Sequence, residues 1–200
     1  MTTYSWPAAL CPSSMEWRIN RSGAQFRSPF NAALQAIDFV GDWWSVAFAV
    51  PPNPTADGVD AELLLQSLAG GGNRLAVYHY TRPIPLGTMR GSPTVQTQAA
   101  RGDAQLVLTV TSGATLKAGD FVKTGGQLFR VYSDCTAAAT TLTVPLVNRV
   151  RATIASATAV IWDSPTIDMI MPEMSFGRVY VPNPGGALAE ATQFALEEAP

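Results

Sequence analysis

The chain has 200 residues, of which 47% are hydrophobic and 14% charged, and its net charge is −2. That length fits one domain, or one domain carrying a smaller inserted one, and is enough to bury a core without metals or disulfides. With no run of Lys or Arg to meet phosphates, the composition argues against a nucleic-acid binder. The charged share is well below the usual quarter or so. Two readings follow: large protein–protein contacts, or a neutral, Ala-rich surface on a monomer. Lys117 and Lys123 are the only lysines, and arginine supplies the remaining positive charge. Arginine is favoured at interfaces and lysine is not, although a GC-rich coding sequence biases the chain in the same direction.

The chain opens with Ser5-Trp6-Pro7 and Cys11-Pro12, whose prolines favour an extended arm. Met1 to Leu10 carries neither basic residues nor a long apolar run, so no secretory signal is expected. Met15 to Ile19 alternates apolar and polar residues, which predicts a half-buried strand followed by a turn over 20–23. Gln25 to Arg27 and Ala33 to Val40 are further strands. Trp43 to Val50 is the clearest of all: Trp44, Val46, Phe48 and Val50 share one face and Trp43, Ser45, Ala47 and Ala49 the other. Adjacent Trp43 and Trp44 must therefore face opposite sides. Either one indole points away from the core, or the strand is covered on both faces.

One helix is predicted from Val59 to Leu68, capped by Asp57 or Thr55, with Ala61, Leu64, Leu65 and Leu68 as its apolar stripe. Gly70-Gly71-Gly72 ends it. A strand from Leu75 to Tyr80 follows. From about Gly87 aromatics thin out, and short strands are predicted at Gln105–Thr111, Phe121–Lys123, Gln127–Asp134, Thr140–Val144 and Ala157–Trp162. Leu116 to Asp120 and Thr124-Gly125-Gly126 are turns. Ile167–Met171 and Phe176–Val181 are strands, and 183–186 is a turn. The composition of Ala187 to Ala199 favours helix, while its alternation also fits an edge strand.

The expected fold is mainly β. A β-sandwich or barrel outer domain with one short helix would comprise 1–86 plus 165–200. A small inserted β-barrel-like domain would occupy 88–163.

No pattern of catalytic chemistry stands out. His79 is the only histidine, read as a structural residue within a strand, with no GxSxG elbow to supply a nucleophile. The carboxylates lack a diagnostic pairing. There is no phosphate-binding glycine loop and no calcium-loop spacing. Cys11 and Cys135 stand far apart without a CxxC or Cys/His cluster, so no zinc site is encoded; a reduced context is expected and a disulfide stays open. No stretch approaches the roughly 18 apolar residues of a membrane span. The expectation is a non-enzyme without cofactor or metal.

The order of several short segments is similar to small tail proteins of tailed bacteriophages, of the distal-tail or tail-tip ring type. They are Trp6-Pro7, Leu10, Cys11-Pro12 and Ser14-Met15; Ser28-Pro29; Gly41-Asp42-Trp43-Trp44; a helix and glycine-rich break; and Tyr80-Thr81-Arg82-Pro83. Leu116 to Phe121 and Gly126 to Val131 complete the set. The Trp43-Trp44 pair and the Ala-rich end depart from it. The resemblance implies a β-sandwich ring domain with a peripheral insertion and a final β-strand, which favours the strand reading of 187–199. It also implies a structural virion protein in the phage tail, assembled in the host bacterial cytoplasm. Its partners would be itself, in a ring taken as a hexamer, and other tail proteins, including fibre or host-recognition proteins. On this reading Trp6, Trp17, Trp43, Trp44 and Arg82 are the candidate subunit-interface residues, with Trp6 on an arm that reaches a neighbour. The alternative is a carbohydrate- or receptor-binding tail module.

Overall fold

The computed structural model of the chain describes residues 1–7, 11–182 and 188–199. It is mainly β, with several sheets, one α-helix among the described residues and no sheet closed into a barrel. The chain divides into two compact units. The first comprises Met1–Ile19, Trp43–Val77 and Asp168–Pro200, and the second Asn20–Asp42 and Tyr78–Ile167. Residues 20–42, which the sequence grouped with the outer domain, thus cluster with the second unit.

The first unit is organised by a six-stranded sheet in the order Thr3–Ser5, Arg74–Val77, Ile167–Ile170, Thr192–Glu198, Trp43–Val50, Ser14–Asn20. The strand Trp43–Val50 has the bounds that its alternation predicts, with Trp44, Val46, Phe48 and Val50 buried. Its partner is the C-terminal strand, in a register that sets Phe48 opposite Phe194 and Val46 opposite Leu196. Cross-strand apolar pairs of this kind are the unit of sheet stabilisation. They override the helix-favouring composition of the tail. That strand lies inside the sheet, not at the edge where the sequence placed it. The opening residues likewise form no free arm. Thr3–Ser5 pairs in parallel with Arg74–Val77, and Asn73 accepts the Thr2 N–H through Oδ1 at 3.0 Å.

The helix spans Thr55–Leu68, four residues longer at its start than predicted. Pro54 occupies the N-cap and makes no side-chain cap, because proline has no side-chain acceptor to offer; Asp57 lies in the first turn, where a carboxylate suits the helix dipole. Ala61, Leu65 and Leu68 are buried, as the stripe requires. The helix packs by the small sheet of Tyr180–Val181, Leu188–Ala189 and Asn53–Pro54. There Arg178 donates to the carbonyls of Glu190 and Pro51, and Tyr180 donates to Glu62 at 2.5 Å. That bond holds the proton on the phenol and raises the Tyr180 pKa.

In the second unit two three-stranded sheets and one two-stranded sheet stand over a shared apolar core. The first is Thr141–Pro145, Gln105–Thr109 and Thr94–Val95; the next is Gln127–Arg130, Phe121–Thr124 and Val160–Ile161; the last is Thr115–Leu116 with Cys135–Thr136. Leu106, Leu108, Val122, Phe129, Leu142 and Val144 are among the buried core residues. The barrel expected here does not form, because its strands pair in separate sheets of two and three, so no continuous ring of strand pairing closes. Gly125-Gly126 is a two-residue turn with φ 57° and 76° between the paired Thr124 and Gln127, as a tight hairpin needs. The turn expected at 183–186 and arm residues 8–10 lie outside the described residues.

Candidate interaction surface

Of the five residues proposed from sequence, the four tryptophans belong to the first unit and Arg82 to the second. Trp44 is a core residue. Trp17 meets it edge-on, with centroids 5.6 Å apart and planes at 78°. Trp6 stacks on Phe48 and Phe194 of its own unit. All three indoles thus take part in packing within the first unit, where Trp44 is buried and Trp6 and Trp17 are half-buried. Trp43, on the other face of its strand, remains 37% exposed, so one of the adjacent pair does point away from the core. Arg82 is committed within its own unit. Its Nη1 donates to the carbonyl of Ala118 at 2.9 Å and lies 3.7 Å from Asp120.

Asp120 organises that region. It is fully buried, and its carboxylate accepts the backbone N–H groups of Leu86, Gly87 and Lys117 at 2.8–3.2 Å. The Leu116–Asp120 turn predicted from sequence is thus closed by its own aspartate, which accepts the Lys117 N–H. At its rim Asp134 holds the Lys117 ammonium at 2.7 Å and accepts the Ala118 N–H. Both bonds favour the ionised forms, lowering the Asp134 pKa and raising that of Lys117. His79 lies two residues beyond the end of Arg74–Val77, outside the strand in which the sequence placed it. Its ring stacks on Phe121 and its Nδ1 meets the Thr81 hydroxyl at 2.9 Å. Burial, then Arg130 and Arg82, hold its pKa below the usual value.

The surface that sequence reasoning missed is the hairpin 23–38. Gly23–Arg27 pairs antiparallel with Leu34–Asp38, and each strand has an unpaired outer edge. The connecting loop is closed by Ser28 N–H to the Ala33 carbonyl at 2.9 Å. In this register Ala24, Phe26, Gln35 and Ile37 share one face, continued by Phe39, and Asp38 belongs to the other. Arginines anchor the root of the ribbon. Arg149 pairs with Asp38 at 3.1 Å, Arg101 donates to the Val40 carbonyl and Arg21 to that of Val147. Every residue of Leu34–Asp38 is exposed, so the apolar face is open to water, as is Leu34 on the other face. Phe26 is 58% exposed, Phe39 51% and Phe30, in the loop, 98%. The two strands were predicted, but alternation names only which residues share a face, not which face is turned to water.

Taking each aromatic side chain at roughly 200 Å², Phe26, Phe30 and Phe39 alone present several hundred Å² of apolar surface. That is the size at which exposed patches on soluble proteins mark interaction sites. A lone two-stranded hairpin is marginally stable in water, and its open edges invite pairing with another chain.

These features define a mainly β protein of two compact units, the second bearing an apolar ribbon. Compared with known proteins, the chain matches no protein-family model and no curated protein. Among the described residues no three His, Cys, Asp or Glu side chains cluster to hold a metal ion, and no helix is long and apolar enough to cross a membrane.

Proposed function

We propose that the chain is a structural, non-enzymatic subunit of a repeated assembly, namely the tail or tail-tip ring of a bacteriophage. In that role it joins the tail to fibre or host-recognition proteins, and its partners are further copies of itself, six in the ring, and other tail proteins. The observation that carries the assembly reading is the ribbon 23–38, held at its root by three arginines while Phe26, Ile37 and Phe39 face solvent. An isolated monomer gains nothing from that orientation, whereas a neighbouring polypeptide covering it would bury the rings and satisfy the strand edges. The low charge content and the use of arginine over lysine support the same reading. The phage assignment is supported by the ordered segments from Trp6-Pro7 through Arg82-Pro83 to Leu116–Phe121. A ring needs a heterologous contact that closes, with different patches on each subunit.

Immunogold labelling of phage particles with antibodies against the purified chain tests this. Label confined to one end of the tail is expected. Particles that carry no label, while the chain stays in the free soluble fraction, contradict the proposal.

A further inference from the structure

A second feature of the 78–167 unit is independent of assembly. Arg130 is the direct cross-strand partner of Phe121. Its guanidinium carbon lies 5.6 Å from the Phe121 ring centroid, and the His79 ring stacks on the same phenyl at 4.9 Å. Arg82 approaches from the loop after His79. A β-carbon built on Gly119 would sit 2.7 Å from Nη1 of Arg82 and 3.6 Å from Nη2 of Arg130, so both guanidinium groups close over one glycine. Gly119 has φ 85°, and any side chain there would displace them.

Two carboxylates stand near this glycine, and both are already engaged. Asp120 accepts three backbone N–H groups besides facing Arg82, and Asp134 is paired with Lys117 and accepts the Ala118 N–H. Arg130 forms no salt bridge among the described residues. Arg82 thus has Asp120 as its carboxylate partner and Lys117 has Asp134, while Arg130, beside the half-buried His79 imidazole, has no paired carboxylate among the described ion pairs. Arginine pairs in such settings are suited to planar or tetrahedral oxyanions, which they bind through charge-assisted hydrogen bonds.

We infer that Arg82 and Arg130, with His79 beside them on Phe121, form an oxyanion-binding site over Gly119. The ligand is a carboxylate or a phosphate group, brought by a small molecule or by a partner's side chain. His79 acts as the titratable third member, since a bound anion favours its imidazolium form.

Because His79 is the only histidine in the chain, its ring signal in an NMR titration is unambiguous. The full chain is titrated with sodium phosphate and, separately, with sodium acetate, each at constant ionic strength in sodium chloride. Saturable movement of the His79 signal is expected, with a dissociation constant of about 1 mM or tighter and a titration midpoint displaced to higher pH. Arg130→Gln is expected to weaken that binding about tenfold or more. A response to phosphate alone assigns a phosphorylated ligand, and a response to acetate assigns a carboxylate. A His79 titration that is the same in phosphate, acetate and chloride overturns the inference, as does an unaltered affinity in a folded Arg130→Gln protein. The wild-type titrations decide the question even if that variant does not fold.

Discussion

Trp6 lies 5.6 Å from Phe48 with the two ring planes within 5° of parallel, and Phe194 meets the same indole at 5.7 Å. Three residues far apart in the chain, at positions 6, 48 and 194, thus close one aromatic stack in the first unit. Phe194→Ala is predicted to destabilise that unit by about 3–5 kcal/mol, the usual cost of emptying a buried phenyl site. Trp6→Ala should cost less, because the indole is only half-buried. Urea unfolding followed by tryptophan fluorescence checks the order of the two effects.

Asp120 should be among the least replaceable residues of the second unit. Asp120→Ala removes the acceptor of three backbone N–H groups, of which the buried Gly87 N–H costs roughly 1–3 kcal/mol when left unsatisfied and the part-buried Leu86 and Lys117 N–H groups less. The expected result is loss of the cooperative unfolding transition of that unit. Asp120→Asn keeps one oxygen acceptor but turns an amide N–H₂ toward backbone donors, so it should fall between Ala and wild type. Thermal unfolding monitored by circular dichroism ranks the three proteins.

His79 predicts a pH dependence of stability. Its folded pKa lies below the ordinary value of 6.5. Between the folded and unfolded pKa values the unfolded chain binds the extra proton, so stability rises with pH across that window. Lowering the pH from 6.5 should therefore weaken the fold progressively, and the effect should level off below the folded pKa. His79→Gln should remove this component and leave the carboxylate-linked acid limb in place. Denaturant midpoints measured in the wild type and the variant between neutral and mildly acid pH make the comparison.

Most of the fold could be read where alternation is strong. Trp43–Val50 keeps its predicted bounds because four apolar residues at period two leave the strand one orientation. The Gly125-Gly126 turn follows from two glycines between apolar runs. Non-local pairing was harder to see. Nothing in Thr192–Glu198 says that it will lie between two other strands, because its partner Trp43–Val50 is some 150 residues away in the chain. The Leu75–Tyr80 run read on through His79, whereas pairing stops at Val77 and the next residues turn into the second unit.

The candidate site was less legible. Large indoles suggested an interface, but tryptophan is as much a core residue as a surface one, and Trp6, Trp17 and Trp44 all pack within the first unit. Phe26, Ile37 and Phe39 gave the opposite difficulty. Their spacing is that of an ordinary buried face. The hairpin pairs with no other strand, so both of its faces stay open to water, which spacing alone does not reveal.

Sedimentation velocity over a concentration series tests the central claim most directly, comparing the wild-type chain with Phe26→Ser/Phe39→Ser. The outward ribbon predicts concentration-dependent species larger than a monomer in the wild type, and a folded monomer in the variant. Assembly of equal extent in both proteins, or in neither, contradicts it.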